Sequence, residues 1–545
     1  MTVPLLPESA PFTPSQRAWL NGFFAGLLGL GAEGSGNGNG QANGVAVAAT
    51  ASVASAPAAE EEFPWHDPAL PMDERLKLAD DRPYERKLMA AMAQLDCGAC
   101  GYLCKTYAEA IASGADKSLT KCTPGGKETS RKLKELVAAH AATTTSGAAM
   151  TSVIAGSGSG NGAGAAATTA NGAALKSVVA QPSFNRSNPF PARLIGSLSL
   201  NRAGSQKDTR HVMINLAGSN LVYKPGDALG VCPENCPELA EEVLRTLGAE
   251  DRLDLRTALI RDCSLARPSE DLLERLVECA TDPVEAEHLT RLRDGEDDWI
   301  DTADLLDVLR RHPSARLEAE ELVSLLAPLQ PRLYSISSSL RAHPEEVHLT
   351  VGVVRYSKGD RVRKGVASTF LSERVPAGSE VRVFVHPSHR FQLPDHGDTP
   401  MIMVGPGTGI APFRAFLEER QAAGAGGKNW LFFGDQGRAT DFLYEEVLLI
   451  FQQAGLLTRL DTAFSRDQAD KIYVQDRMRE RARELWGWLE EGAHFYVCGD
   501  ARRMATDVDR ALHQVVAEQG GLSAADAKAY IARMTKAGRY QRDVY

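Results

Sequence analysis

Four cysteines crowd into residues 97–122 of this chain. They run Cys97-x2-Cys100-x3-Cys104, and then, after seventeen intervening residues, Cys122 precedes Pro124, Gly125 and Gly126. Four thiolates can hold either a structural zinc or an iron–sulfur cluster. Zinc sites more often show two C-x2-C knuckles. One such pair, a third cysteine on the next turn, a helix-forming TYAEAIASG and a fourth cysteine favour a small four-iron–four-sulfur (4Fe-4S) module, with zinc as the alternative. The nine cysteines are an odd number and unevenly spread, which argues for a reducing compartment and against a disulfide framework.

Further along, residue types suited to nucleotides recur. The first group is Arg332-Leu333-Tyr334-Ser335, followed by Ile336 and three serines. On a strand Arg332 and Tyr334 share one face, so an aromatic ring could cover a flat isoalloxazine while the guanidinium reaches a pyrophosphate. An ordinary edge strand with a polar turn looks the same. Gly365-Val366-Ala367-Ser368 opens a helix with small residues, whose free N–H groups favour an anion. Alone this is equally a plain helix cap; its spacing after Arg332 and after Thr350-Val351-Gly352 favours the anion site. Gly405-Pro406-Gly407-Thr408-Gly409 follows an apolar strand and precedes a helix with Pro412 in its first turn. It is not G-x-G-x-x-G, but its glycines permit the same close approach to a pyrophosphate. Ser465, Arg466, Lys471, Tyr473 and Gln475 follow a strand end and suit a 2′-phosphate, hence NADP over NAD, unless they form a merely solvated loop. Cys498-Gly499-Asp500 marks another strand end, although a buried cysteine is usually just a small hydrophobe.

The elements that must position these residues follow from texture. Two Gly/Ala/Ser/Thr-rich tracts, 31–60 and 141–175, lack large apolar residues and read as flexible linkers. The expected division is an amphipathic N-terminal helix at 1–30, a linker at 31–62, the cysteine module at 63–140 and a second linker at 141–183. A β-barrel domain at 184–396 follows, and then a doubly wound α/β domain at 397–545. Strands with turn signals at 184–232 (ARLIGSLSL, HVMINLAG, the turn KPGD) return at 332–393 (VHLTVGVV, VRVFVH), so the barrel is interrupted by a helical insert at about 235–330. From Pro400 strand, glycine turn and helix repeat, as in PMIMVG, NWLFFG, LDTAFS and HFYVCG with their helices.

A net charge of −10 favours neither nucleic acid nor an acidic membrane surface. No stretch is long and apolar enough to span a bilayer. WLNGFFAGLLGL, from Trp19 to Leu30, reads as a short helix docking on this chain or on a second copy, which would make a homo-oligomer. A cytoplasmic protein is expected.

In this order and spacing the motifs resemble the ferredoxin-NADP reductase superfamily, and within it the diflavin reductases, which carry a helical connecting insert. RLYSISSS, VGVVRY, PMIMVGPGTGIAPFRAFLEERQ, NWLFFGDQ, FSRDQADKIYVQD, HFYVCGDARRMATDV and RYQRDVY are similar to the family of flavoprotein (alpha) subunits of assimilatory NADPH-sulfite reductases. The resemblance covers about residues 184–545. It implies hydride transfer from NADPH to FAD and electron supply to a separate terminal reductase. Sulfite reductase haemoprotein is the favoured acceptor, within cysteine biosynthesis, and an assimilatory nitrate or nitrite reductase is the alternative. The rival of another class is a non-catalytic nucleotide-binding scaffold.

The resemblance also implies roles. Arg332, Leu333, Tyr334 and Ser335 would hold FAD together with Thr350, Val351, Gly352, Tyr356 and Gly365, Val366, Ala367 and Ser368. Gly407 and Thr408 would line the NADPH pyrophosphate path. Ser465, Arg466, Lys471, Ile472, Tyr473, Val474 and Gln475 would grip the 2′-phosphate side, with Asp507 near the nicotinamide nucleotide. Cys498 and Asp543, with Ser335, would assist hydride transfer, and Tyr545 would stack on the flavin. Diflavin reductases carry an FMN-binding flavodoxin domain ahead of this part. No strand followed by a Ser/Thr/Gly-rich phosphate loop occurs in 1–183, so FMN is not expected. The cluster held by Cys97, Cys100, Cys104 and Cys122 would relay single electrons in its place.

Overall fold

The structure, a computed structural model, describes residues 63–67, 70–95, 100–122, 124–147, 184–388 and 390–545. The expected N-terminal helix at 1–30, the first linker, most of the second and Cys97 lie outside the described residues.

The cysteine module is four helices: α1 (Met72–Leu78), α2 (Tyr84–Ala90), α3 (Cys104–Ala112) and α4 (Gly126–Gly147). Leu88, Met89, Met92, Tyr107, Ile111 and Leu133 form its core. Helix α4 runs past residue 140 into the stretch whose composition reads as linker. His140 is followed by two alanines, strong helix formers that extend an existing helix at no nucleation cost.

The next domain is an antiparallel sheet of β1 (Phe190–Ser199), β2 (Thr209–Asn215), β3 (Ala228–Cys232), β4 (Arg332–Ser335), β5 (Glu346–Gly352) and β8 (Glu380–His386). Their order is β4-β3-β8-β1-β2-β5, and a bridge between Ile336 and Leu349 joins the first strand to the last, closing a barrel. Alternating inward residues, Leu194, Val212, Ile214, Leu229, Leu349 and Val383, fill it. The Lys224–Asp227 turn is closed by the Asp227 amide on the Lys224 carbonyl at 3.0 Å. A hairpin of β6 (Arg355–Lys358) and β7 (Arg361–Lys364) follows β5, and then comes the short helix α11 (Val366–Thr369).

The insert lies where its apolar periodicity predicts it, between β3 and β4. Its helices are α5 (Pro237–Leu247), α6 (Leu253–Arg261), α7 (Glu270–Cys279), α8 (Pro283–Asp294), α9 (Leu305–Arg311) and α10 (Ala319–Leu325). They enclose their own leucine core, including Leu259, Leu272, Leu276, Leu289 and Leu306. Asp304, which caps α9 through the Asp307 amide, also accepts from Arg361 (2.7 Å) and Arg363 (2.9 Å) of β7, so one carboxylate ties insert to barrel.

The last domain is a parallel sheet of β9 (Met401–Val404), β10 (Asn429–Asp435), β11 (Arg459–Phe464), β12 (His494–Gly499) and β13 (Tyr540–Val544), ordered β11-β10-β9-β12-β13. Strands β9 and β10 are buried along their whole length, as a sheet covered on both faces requires. The connecting helices are α12 (Ala411–Ala423), α13 (Glu445–Gln453), α14 (Val474–Glu480), α15 (Ala482–Glu490), α16 (Met504–Gly520) and α17 (Ala524–Lys536). VQDRMRERARELWGWL reads as one helix but forms two, because Arg481 leaves helical geometry with φ −104° and ψ 17°. Helix α17 and strand β13 have no counterpart in the sequence reading.

Candidate functional site

The site grows from the carboxyl ends of β9, β12 and β13. The turn after β9 passes so close to β12 that a Cβ on Gly409 would lie 2.1 Å from the Cys498 carbonyl oxygen, and Gly407 takes φ +57°. Glycine at these two positions is therefore a packing and backbone requirement. Strands β12 and β13 pair in parallel with Cys498 opposite Asp543. Ser335, the last residue of β4, reaches across from the barrel: its hydroxyl donates to Asp543 Oδ2 at 2.7 Å, and the Cys498 thiol lies 3.7 Å from the same oxygen.

Burial raises the Asp543 pKa above the ordinary carboxylate value, and the two donors only partly offset it. Burial also drives the Cys498 thiol well above its usual range, with the neighbouring Asp543 charge adding to the effect. Cys498 is therefore a neutral thiol near neutral pH, an S–H donor and not a thiolate. Two residues beyond Asp543, the Tyr545 hydroxyl and Thr408 Oγ1 are 2.7 Å apart. Tyr545 is 52% exposed and lines a cleft.

That cleft, of about 930 Å³, runs along the strand ends between the sheet and the barrel. Gly407, Thr408, Ser465, Tyr473, Val474, Gln475, Asp507 and Tyr545 line it from the sheet side, and Gly352 from the barrel. A crevice at the carboxyl ends of parallel strands is where an open α/β sheet binds its nucleotide. The β1–β2 loop, 200–208, forms a further wall that sequence reasoning missed. Lys207 from this loop pairs with Asp435 at the end of β10, and Asp435 keeps a raised pKa through burial despite that partner. Arg503 and Met504 at the start of α16 also face the cleft, with the Arg503 amide on Asp500 Oδ1 at 2.7 Å. The only sequence signal for the loop was a polar run between two strands, which carries no motif.

Other predicted residues lie around this centre. Arg332 donates to the Gln330 carbonyl at 2.7 Å, and Leu333 and Tyr334 are half-buried on β4. A Cβ on Gly365 would lie 2.7 Å from Ser368 Oγ, and that hydroxyl accepts from the Val354 amide at 3.1 Å, so the start of α11 is tightly built. Val366 and Ala367 follow in its first turn, where N–H groups have no partner within the helix. Thr350 is buried, with its hydroxyl 2.8 Å from that of Tyr444, and Val351 sits in the barrel core. Tyr356 is exposed on β6. Arg466 is exposed and donates to Gln206 Oε1 at 2.5 Å, Lys471 is also exposed, and Ile472 packs against the sheet domain's core.

In the module, Cys100, Cys104 and Cys122 line one small pocket with Met92, Leu95, Tyr102, Tyr107 and Pro124. Cys104 opens α3 and Cys122 lies just ahead of α4. A Cβ on Gly125 would lie 2.2 Å from Thr129 Oγ1 and 3.1 Å from Cys122 Sγ, which explains the glycine after Pro124. Arg75 is buried, donates to the Met92 carbonyl, and places its charge near Cys104 and Cys122. Soft sulfur donors in an apolar pocket, with a buried cation beside them, fit an iron–sulfur cluster. Among the described residues no helix is long and apolar enough to cross a membrane.

Family models match in three places. An FAD binding domain covers residues 182–262 and 255–370, an oxidoreductase NAD-binding domain covers 403–510, and the family described as "Putative Fe-S cluster" covers 92–124. The barrel and the parallel sheet on either side of the cleft thus coincide with the FAD binding and oxidoreductase NAD-binding matches, and the cysteine module with the putative Fe-S cluster match.

Over about two thirds of its length the chain is a homologue of sulfite reductase [NADPH] flavoprotein alpha-components. It is 44% identical over 387 residues to that of Bacillus subtilis, covering 68% of this chain and 64% of the relative. It is 46% identical over 375 residues to that of Mannheimia succiniciproducens, covering 67% and 62%. It is 45% identical over 381 residues to one from Vibrio cholerae, covering 68% and 61%. The chain thus spans a little over three fifths of the length of the curated relatives it matches.

Proposed function

We propose that this protein takes hydride from NADPH onto FAD and releases electrons singly, through its cysteine module, to a separate terminal reductase. Sulfite reductase haemoprotein in the cytoplasm is the first candidate acceptor. The observation that carries the reading is the meeting of Ser335, Cys498 and Asp543, from three strands of two domains, directly behind Gly499 and Tyr545, which line the dinucleotide cleft.

Bound FAD supplies the chemistry that joins a two-electron donor to a one-electron acceptor. The residues do the rest. Tyr334 would cover the flavin ring, Arg332 and the amides at the start of α11 would hold its pyrophosphate, and Gly352 would leave room at the barrel edge. Thr350, Val351 and Tyr356 act through the strands that carry them. Gly407 and Thr408 let the NADPH pyrophosphate approach the backbone. Ser465, Arg466, Lys471, Tyr473 and Gln475 bracket the 2′-phosphate, with Ile472 and Val474 anchoring that loop to the core, and Asp507 borders the nicotinamide side.

As hydride leaves, positive charge grows on the nicotinamide. The Asp543 carboxylate, held by Ser335, is fixed in place to stabilise it. The neutral Cys498 thiol packs behind that carboxylate. Tyr545 excludes water until the nicotinamide displaces it. Cys97, Cys100, Cys104 and Cys122 would hold the cluster.

Anaerobic purification followed by FAD, iron and acid-labile sulfide analysis tests the reading, together with NADPH-dependent ferricyanide reduction. Bound FAD, a four-iron cluster and turnover are expected. Colourless protein that does not oxidise NADPH would leave a nucleotide-binding scaffold. Electron delivery to a nitrate or nitrite reductase, and not to a sulfite reductase haemoprotein, would reassign the acceptor.

A further inference from the structure

The cysteine module rests on the flavin site. Three contacts made by its pocket-bearing loops and its first segment are decisive. Asp67 ion-pairs with Arg542 of β13, the residue before Asp543. The carbonyl of Pro124, two residues after Cys122, accepts from Arg502, four residues after Cys498 of β12. Gly101, next to Cys100, lies against Gln330, two residues before Arg332 of β4: a Cβ there would stand 3.7 Å from Gln330 Oε1. Thus the module touches β13 itself, the segment just after β12 and the segment just ahead of β4, the three strands that bring Ser335, Cys498 and Asp543 together.

Other contacts brace this seat. Leu95, which lines the cysteine pocket, packs against the core of the α/β domain. Lys127 at the start of α4 pairs with Asp298 of the helical insert and donates to the Gly295 carbonyl at 3.2 Å. Lys134 lies 3.7 Å from Glu270. Arg542 is itself held 3.8 Å from Asp509, so the latch residue has a fixed position on β13. Both charges of the Asp67–Arg542 pair are more than four-fifths buried, at 18% and 17% exposure, so the contact is not a loose surface pair.

We propose that residues 63–147 occupy a built docking site at the rim of the flavin cleft, with Asp67–Arg542 as its latch, and that the module accepts electrons in this seated position. The inference rests on the module being the one-electron carrier. Two electrons enter as hydride from NADPH. They leave one at a time across this contact, each transfer oxidising the flavin and reducing the cluster by one electron, while the protons pass to solvent. An outside acceptor then meets the module's other faces, and the flavin stays covered.

The test uses the full-length holoprotein. Asp67→Arg places two like charges at the latch, and Asp67→Arg with Arg542→Asp restores the pair in reverse. Amide hydrogen exchange at 63–67, 100–104 and 540–545 should rise in the single variant and return in the double. Stopped-flow reduction of the cluster by NADPH should slow about tenfold or more in the single variant and recover in the double, with FAD reduction in Asp67→Arg unchanged. Unaltered exchange and unaltered cluster reduction in Asp67→Arg would overturn the seat. Faster exchange without rescue by the swapped pair would also overturn the latch. Wild-type protein in which NADPH reduces FAD but no cluster would overturn electron acceptance by the module, and the exchange measurement alone would then decide the docking.

Discussion

Replacing Tyr545 with alanine removes the ring at the cleft mouth but not the strand that carries it. The backbone bonds of Tyr545 to Gly499 O (3.0 Å) and from Ala501 N (3.1 Å) do not depend on the side chain. Folding should be unaffected, and what changes is the cost of bringing a nicotinamide to the flavin face. An aromatic stack contributes about 0.5–1.5 kcal/mol. The hydroxyl pair with Thr408 adds roughly 0.5–1.5 kcal/mol. With Tyr545 52% exposed, the low end of the combined range of roughly 1–3 kcal/mol applies, about 1–1.5 kcal/mol, or roughly five- to tenfold in an equilibrium. NADPH can offset that cost with contacts to its 2′-phosphate, and NADH cannot. Tyr545→Ala should therefore raise kcat/KM for NADH about five- to tenfold, and more than for NADPH, whose 2′-phosphate contacts already draw the nucleotide in so that displacing the ring limits it less. NADPH turnover should rise less, or fall if oxidised nucleotide leaves more slowly. Steady-state kinetics with both nucleotides reads this directly. An unchanged NADPH/NADH ratio would show that Tyr545 does not gate the flavin.

Three other perturbations separate the parts of the proposal. Arg466→Glu should raise KM for NADPH on the order of tenfold while moving that for NADH little, a modest effect because Arg466 is exposed and its charge is screened; equal changes for both nucleotides would remove the loop from phosphate recognition. Cys122→Ser should remove iron, sulfide and the cluster's visible absorption yet leave NADPH-to-FAD reduction in place, and iron persisting at the wild-type level would remove Cys122 from the ligand set. Asp543→Asn should lower hydride-transfer rate and abolish its dependence on a carboxyl group with a raised pKa, measured by stopped-flow FAD reduction across pH. The sign for stability is opposite to that of a salt-bridged carboxylate. Because burial raises this pKa, folding stability falls as pH climbs from the ordinary carboxylate value of about 4 through the raised one, so the asparagine variant should melt no lower than wild type at neutral pH.

The parts of this molecule legible in its sequence are those governed by period and by local turn chemistry. Leucine spacing marked the insert at 235–330, and strand–glycine–helix repeats marked the parallel sheet. The cysteine spacing marked the module, and three of its four cysteines line one pocket. Thr408 and Gln475, picked out by turn and loop chemistry, line the cleft. What stayed hidden depends on distant partners. Lys207 matters because a barrel loop happens to meet Asp435, more than two hundred residues away. Strand β13 is a short polar segment whose pairing with β12 is settled by tertiary context, not propensity. The contacts of Asp67 and Gln330 belong to docking between domains, which no local pattern encodes.

The loop at 200–208 binds the barrel to its neighbour. Asn201 donates to Asp441 at 2.8 Å, the Arg202 amide donates to the Thr440 carbonyl at 2.8 Å, and Lys207 reaches Asp435, so a piece of the barrel is stitched into the neighbouring sheet domain. The two domains are therefore not interchangeable parts. A chimaera that grafts a foreign nucleotide domain onto this barrel at residue 397 would cut the stitches on one side only, leaving Asn201 and Lys207 facing mismatched partners. The natural unit of exchange is the nucleotide domain together with the 200–208 loop.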